Sequence, residues 1–271
     1  FQTQFPARIM RLKDKTITVT GSTTGIGKAI AKRCLEEGAE VFLHGLELEL
    51  AQETRAELDP ERQRTDFLVS DLTEHFASKK LIETAISRFG KIDALVNNAA
   101  AVGTGRIEST DEAKWDHFMT TNAKVPFFLI KNALVHLSKT KGSVLNIGSV
   151  NAYCGEPDLL PYSISKGALQ TMTRNLGDTL HRDCGVRVNQ INPGWILTEN
   201  EKKRKKDQGL PEDWPKMLGK QFAPSGRIFD PAEIAAAAVY FLSEESGPVS
   251  GSVLDVEQHP FIGRNPEKTI G

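Results

Sequence analysis

Tyr162-Ser163-Ile164-Ser165-Lys166 sets a phenol four residues before an ammonium. On a helix that spacing puts both side chains on one face, about one turn apart. A free phenol, with a pKa of about 10, exchanges protons poorly at neutral pH. A neighbouring ammonium favours the phenolate and brings the group toward a useful range. The pair is therefore a candidate for moving a proton to or from a substrate oxygen. Taken singly, the residues have plainer readings: Tyr162 as a half-buried packing residue, Lys166 as a solvated charge.

A second candidate lies far upstream. Thr20-Gly21-Ser22-Thr23-Thr24-Gly25-Ile26-Gly27 falls where a β-branched run gives way to a helical pattern. Glycines let backbone approach a pyrophosphate closely, and a helix N-terminus offers free N–H groups and a positive dipole end. The glycine spacing departs from the general dinucleotide fingerprint, and a tight connection alone would also produce it. The strand before and the helix after favour phosphate binding.

These groups need a scaffold, and the pattern supplies one. Strands are expected at Thr16–Thr20, Glu40–His44, Asp66–Ser70, Ala94–Asn97, Ser143–Ile147, Val186–Ile191 and Ser252–Val256. Helical stretches alternate with them: Ile26–Glu37, Glu47–Leu58, Ser78–Phe89, about Asp111 to Lys139, about Ser163 to Asp183, and Pro231–Leu242 with Asp230 as N-cap. Strands alternating with helices imply βαβ crossovers and a doubly wound α/β sheet of Rossmann type, seven-stranded and mainly parallel, flanked by helices. Such a sheet binds ligands at the carboxyl ends of its strands, where the strand order reverses. No internal repeat or linker is visible, so one catalytic domain over residues 1–271 is expected, with a leader at 1–11. Residues 198–224, charged and interrupted by Pro211, Pro215 and Gly219, read as an irregular lid over the substrate.

The ordered set of motifs resembles the short-chain dehydrogenase/reductase family. The glycine-rich turn is followed by Asp71-Leu72 after the third strand and by Asn97-Asn98-Ala99-Ala100 at the fourth. Asn122 lies in the next helix, and Ser149 just beyond the fifth strand. Tyr162 and Lys166 follow, then Asn192-Pro193-Gly194 at the end of the sixth strand, with Ile196 and Thr198 after it. The resemblance spans roughly Lys15 to Val256. It implies a nicotinamide cofactor held by Gly21, Thr23, Thr24, Gly25, Ile26, Gly27, Asp71, Leu72, Asn98, Ala99, Ala100, Tyr162, Lys166, Pro193, Gly194, Ile196 and Thr198. It implies catalysis by Asn122, Ser149, Tyr162 and Lys166: Tyr162 exchanges the proton of the substrate oxygen, and Ser149 hydrogen-bonds that oxygen as charge builds on it. Lys166 is expected to hold the nicotinamide ribose, and Asn122 to anchor a water linking Lys166 to solvent. Alone, Ser149 would read as a turn former. Family members commonly form dimers or tetramers, so a homo-oligomer is expected.

Departures from the family bear on specificity. Gly45 and Leu46 stand where an acid for NAD or a base for NADP is usual, and Thr24 stands where NADP-preferring relatives often carry a base. Glu47 lies about where an acid reads a ribose hydroxyl, though a helix N-terminal charge explains it as well. NAD is the expectation, with NADP not excluded. Gln258-His259 replace the usual paired glycines, and a tail over residues 260–271 follows. His259 is a further substrate-contact candidate, or simply a solvated histidine. Asn151, Tyr153 and Trp195, with Ser149, are the expected substrate contacts. A Trp beside amides and hydroxyls suits a sugar or polyol, while simple packing of the lid is the equal alternative.

Composition narrows the classes. Of 271 residues 39 % are hydrophobic and 25 % charged, and the formal net charge is −1, so no overall field draws the chain to nucleic acid or an acidic membrane. No apolar run is long enough to span a bilayer, and no N-terminal signal pattern is present. Cys34, Cys154 and Cys184 lack metal spacing, so no metal is expected and a reduced, cytoplasmic protein fits. The basic run Lys202–Lys206 is flanked by Glu199, Glu201 and Asp207, and reads as a solvated helix face rather than a targeting patch. Three functions stay open. They are a dehydrogenase of a small polar substrate such as a sugar or polyol, a reductase of carrier-bound 3-ketoacyl groups, and a cofactor-sensing binding protein without turnover.

Overall fold

In the computed structural model, residues 10–153 and 156–259 are described. The leader before residue 10, Cys154 and the tail from residue 260 lie outside them. Strands β1 (Thr16–Val19), β2 (Glu40–Gly45), β3 (Thr65–Val69), β4 (Ala94–Asn97), β5 (Ser143–Ile147), β6 (Arg187–Pro193) and β7 (Val253–Val256) form one sheet in the order β3-β2-β1-β4-β5-β6-β7. The expected sheet is mainly parallel; every strand pair in it is parallel.

Between the strands run α1 (Gly25–Glu36), α2 (Leu48–Leu58), α3 (Ala77–Phe89), α4 (Glu112–Met119), α5 (Val125–Thr140), α6 (Leu160–Cys184), α7 (Glu199–Asp207) and α8 (Pro231–Leu242). Alternation along the strands assigns side chains to two cores. Ile17, Val19, Val41, Leu43, Ala94, Val96, Leu145 and Ile147 join Ile30 of α1 and Ile234 and Val239 of α8. Phe42, Leu95, Val144 and Val188 join Leu81 of α3 and Leu129 and Leu137 of α5 on the other face. Cys34 belongs to the first core, where burial pushes its thiol up to about 12 and leaves it an inert apolar filler.

Three local differences from the sequence reading have physical causes. The helix expected from Asp111 to Lys139 is interrupted by a π-helical turn at Thr120–Lys124 that carries Asn122. Pro126 has no N–H to give the Asn122 carbonyl, and the Val125 amide reaches back to Thr120 instead. Helix α6 begins at Leu160 rather than Ser163, because Pro161 suits a first turn. The lid is not irregular throughout, since α7 lies inside it. Thr198 caps that helix by accepting a hydrogen bond from the Glu201 amide at 3.1 Å. Its first turn carries Glu199 and Glu201 and its last Arg204, Lys205 and Lys206, which matches the helix dipole. Trp214, Ala223 and Ile228 give the segment a small core of its own, against which Trp195 packs.

Candidate active site

The strand order reverses between β1 and β4, and a cleft of about 850 Å³ opens at their carboxyl ends. Its floor is the glycine turn. Gly21 and Gly25 have positive φ, +59° and +53°. A Cβ on Gly21 would lie 2.9 Å from Ala99 Cα, and one on Gly27 would lie 2.2 Å from the Gly21 carbonyl oxygen. The turn is thus pressed against β4 and against its own helix, and only glycine fits. Thr24 caps α1 without any side-chain hydrogen bond to the first turn, which also contains no acid. Those amide donors face the cleft unneutralised, an arrangement that suits a phosphate.

His44 holds this turn from the side. It is buried; its Nδ1 accepts from the Gly21 amide at 3.2 Å, and its Nε2 lies 2.9 Å from the Ser70 carbonyl. That pairing needs a neutral ring with its proton on Nε2, and burial keeps its pKa below the usual histidine value. Asn98 Nδ2 donates to the Thr20 and Gly21 carbonyls, both at 2.9 Å. Asp71 closes a turn by accepting from the Thr73 hydroxyl at 2.7 Å and amide at 2.9 Å, and these bonds hold its carboxyl below the ordinary range.

The proton-moving group stands across the cleft. Lys166 is buried, donates to the Ile147 carbonyl at 2.8 Å, and lies 5.8 Å from the centre of the Tyr162 ring. Burial brings its pKa down to about 8. Ser149 lines the cleft with Tyr162, and its hydroxyl is one influence that lowers the Tyr162 pKa. The net shift on Tyr162 nevertheless runs opposite to the expectation from its spacing to Lys166. Burial raises the phenol above its usual value, and the Ser149 hydroxyl and the charge of Arg204 only partly oppose it.

Most predicted residues meet in this cleft. Gly21, Thr23, Thr24, Gly25, Ile26, Asp71, Leu72, Asn98, Ala99, Ala100, Ser149, Tyr162, Lys166, Pro193, Gly194, Trp195, Ile196 and Thr198 line it. Gly27 lies behind the turn. Asn122 is outside the lining: its amide is engaged with Ala101, donating to the carbonyl at 3.0 Å and accepting from the N–H at 2.8 Å, and it donates to Ser165 Oγ at 2.9 Å. Its side chain therefore ties the loop after β4 to α6.

The substrate contacts fare less well. Asn151 and Tyr153 are not part of the lining, and the Tyr153 hydroxyl is bonded to Asp255 at 3.0 Å. His259 is not in the lining either. Trp195 stacks on Trp214 with ring centres 5.3 Å apart and gives its indole N–H to Glu201 at 2.9 Å. Trp195 thus packs against the lid and lines the cleft as well. Gln258 joins the sheet to the end of the lid, its Oε1 accepting from the Ser225 hydroxyl at 2.6 Å.

Three groups escaped the sequence reading. His44 carried a faint signal, a polar side chain at an inward-facing strand position beside Phe42 and Val41. Glu201 and Arg204 carried none, because which face of α7 meets the cleft depends on how the lid packs.

A parallel sheet in this order, with a glycine turn at its switch point, defines a Rossmann-type nucleotide-binding protein. A family profile described as enoyl-(acyl carrier protein) reductase matches residues 21–258. Glucose 1-dehydrogenase 2 of Bacillus subtilis is 34% identical, over 91% of this chain and 94% of its own. The 2-(S)-hydroxypropyl-CoM dehydrogenase 3 of Xanthobacter autotrophicus is 33% identical, over 91% of this chain and 96% of its own. A solved structure described as a short-chain alcohol dehydrogenase, from Sinorhizobium meliloti 1021, superposes with a TM-score of 0.83 at 29% identity, covering 92% of this chain and 97% of that one. The chain belongs to the short-chain dehydrogenase/reductase family. It is an oxidoreductase that acts on CH–OH groups with a nicotinamide cofactor.

Proposed function

We propose that the protein oxidises a small polar secondary alcohol, and reduces the matching carbonyl, with Tyr162 as the proton-exchanging group. The observation that carries this reading is that Ser149, Tyr162 and the buried Lys166 line one glycine-floored cleft, with Lys166 Nζ 5.8 Å from the centre of the Tyr162 ring. When bound, the nicotinamide supplies the two-electron acceptor or donor.

The chain's own groups do the rest. The turn from Gly21 to Ile26 gives backbone room and amide donors to a pyrophosphate, and Asp71 and Leu72 border the adenine side. Asn98, Ala99, Ala100, Pro193, Gly194, Ile196 and Thr198 wall the nicotinamide side. Tyr162 passes its proton to the carbonyl oxygen in reduction, or takes one from the alcohol in oxidation. Ser149 donates to the same oxygen and stabilises the charge that gathers there. Lys166, buried beside the Tyr162 ring and bonded to the Ile147 carbonyl, is assigned to the nicotinamide ribose. Asn122 keeps α6 and the loop after β4 in register.

NAD is the favoured cofactor. At the β2 end the lining comprises His44, Gly45, Leu46, Glu47 and Leu50, with no lysine or arginine to meet a 2′-phosphate. Glu47 caps α2 without a side-chain bond, leaving its carboxylate to accept from a ribose hydroxyl. The sugar or polyol reading leaned on Asn151, Tyr153 and Trp195, of which Trp195 lines the cleft and Asn151 and Tyr153 do not. The dehydrogenase named for glucose, at 34% identity, is its further support.

A homo-oligomer is proposed through α5 and α6, where Phe127 and Val135 are 46% and 58% exposed. Among the described residues no helix is long and apolar enough to cross a membrane. The cytoplasm is the proposed compartment, supported by the unpaired Cys34 and Cys184. A panel of secondary alcohols and ketones, each run with NAD and NADP, tests the reading. Turnover of polar members with NAD is expected, and no turnover by a folded, cofactor-binding protein would overturn it.

A further inference from the structure

Helix α7 brings a cation into the cleft. Arg204 lies one turn beyond Glu201; its Nε donates to Oε2 and its Nη2 to Oε1, both at 2.9 Å. The Glu201 carboxylate also accepts the Trp195 indole N–H at 2.9 Å. Lys205 lies on the indole pair, its Nζ 5.3 Å from the centre of Trp195 and 5.9 Å from that of Trp214. The basic run is therefore not wholly a solvated face, since Arg204 and Lys205 are built into the lid.

The consequence is a guanidinium fixed in place with one edge open. Glu201 spends its acceptors on Trp195 and on one edge of Arg204, and its side chain is 11% exposed against 39% for Arg204. Both side chains line the cleft, and the cation is the more exposed of the two. Nη1 has no hydrogen-bond partner among the described residues, and it carries two N–H donors. Arg204 lines the same cleft as Ser149, Tyr162 and Lys166. A planar fork held in advance loses little freedom on meeting a second oxyanion, and arginine is the side chain suited to that task.

We propose that Arg204 selects the substrate by binding an anionic oxygen group, a carboxylate, phosphate or sulfonate, carried on the same small molecule as the reacting oxygen. The inference rests on the reading that Tyr162 and Ser149 hold that reacting oxygen, and it narrows the substrate from polar to anionic.

The test compares 3-oxobutanoate with its neutral methyl ester, in the unaltered protein, Arg204→Gln, Arg204→Lys and Lys203→Gln. A charge-assisted hydrogen bond corresponds to roughly ten- to a hundredfold in affinity. The ratio of kcat/KM for the anion over the ester is expected to fall by about that factor in Arg204→Gln and to recover in part in Arg204→Lys. Lys203 is exposed and outside the cleft lining, so Lys203→Gln controls for net charge and should keep the ratio. Competition by inorganic phosphate or methanesulfonate that vanishes in Arg204→Gln tells which anion fits best. An unchanged ratio, or an equal fall in Lys203→Gln, overturns the proposal.

Should the unaltered protein reduce neither probe, tryptophan fluorescence in a Trp115→Phe background still decides. Saturable quenching of Trp195 and Trp214 by 3-oxobutanoate, lost in Arg204→Gln, supports the anion site while faulting the assignment of Tyr162. Absence of quenching in that case rejects the site itself.

Discussion

Asn192 Oδ1 accepts a hydrogen bond from the Ser149 amide at 3.1 Å, and both residues are buried. A Cβ on residue 148 would lie 2.1 Å from that oxygen, so the approach requires Gly148. The same oxygen accepts from Gln190 Nε2 at 2.7 Å, and Asn192 Nδ2 donates to Gln170 at 2.9 Å and Asp255 at 3.0 Å. Gln190 in turn meets Thr173, which meets Asn146 and through it Asn97. A row of buried polar side chains thus runs across the sheet from β4 to β6 and ends on the backbone of Ser149, which lines the cleft with Tyr162. Asn97 Oδ1, at the far end, has no partner among the described residues, so the row is held from Asn146 onward.

Asn192→Ala is therefore expected to cost about 1–3 kcal/mol of stability by stranding buried donors. Because it frees Ser149, it should also lower kcat while cofactor affinity stays near that of the unaltered protein. Urea unfolding and steady-state kinetics on one preparation check both. An unchanged midpoint with unchanged kcat would show that the row has no influence on Ser149.

The pH dependence carries a definite sign. Burial holds the Tyr162 phenol above its ordinary value. Oxidation needs the phenolate, so its kcat/KM at saturating cofactor should climb with pH through the neutral and mildly alkaline range. Reduction needs the protonated phenol and should hold over that range. Arg204→Gln removes one influence that lowers the Tyr162 pKa, so with a neutral alcohol its oxidation limb should move to higher pH. A limb that stays or moves down contradicts the electrostatic reading.

Cofactor choice is tested at the end of β2. Leu46 is 69% exposed on the rim of the cleft and offers nothing to a phosphate. Leu46→Arg would supply a charge-assisted partner, shifting the NADP-to-NAD ratio of kcat/KM upward by roughly ten- to a hundredfold. Strong NADP preference in the unaltered chain would reverse the assignment of Glu47.

Assembly is read from α5. Sedimentation should show a dimer or tetramer at micromolar concentration, and Phe127→Glu with Val135→Glu should shift it toward the monomer. A monomeric unaltered protein would contradict the assignment of that face.

Much of this was legible in the chain because it rests on local physics. Alternating apolar strands and capped helices foretold the sheet, and Asp230 and Pro231 marked the start of α8 where it occurs. The glycine turn and the four-residue spacing of Tyr162 and Lys166 survive into the cleft unaltered. What escaped depends on packing across the molecule. Trp195 could stack on a ligand or on the protein, and only the fold of the lid brings Trp214 beneath it. Arg204 looked like one charge in a solvated run until Glu201 and the indole fixed its direction. The sign of the Tyr162 shift was missed for a similar reason. Helical spacing reveals the neighbouring ammonium, but not how deeply the phenol is buried.

Tyr162→Phe tests the central claim most directly, because it removes one oxygen and leaves the ring contact with Phe118, at 6.4 Å between centres, in place. Turnover with the best substrate of the panel should fall by about 10²–10⁴, the usual contribution of a positioned acid–base group. Cofactor dissociation constants and the urea midpoint should stay within about twofold, the order of variation expected where only the proton-exchanging oxygen is lost. A folded variant that keeps more than about a tenth of the activity, well inside the loss such groups normally produce, would show that the proton moves elsewhere.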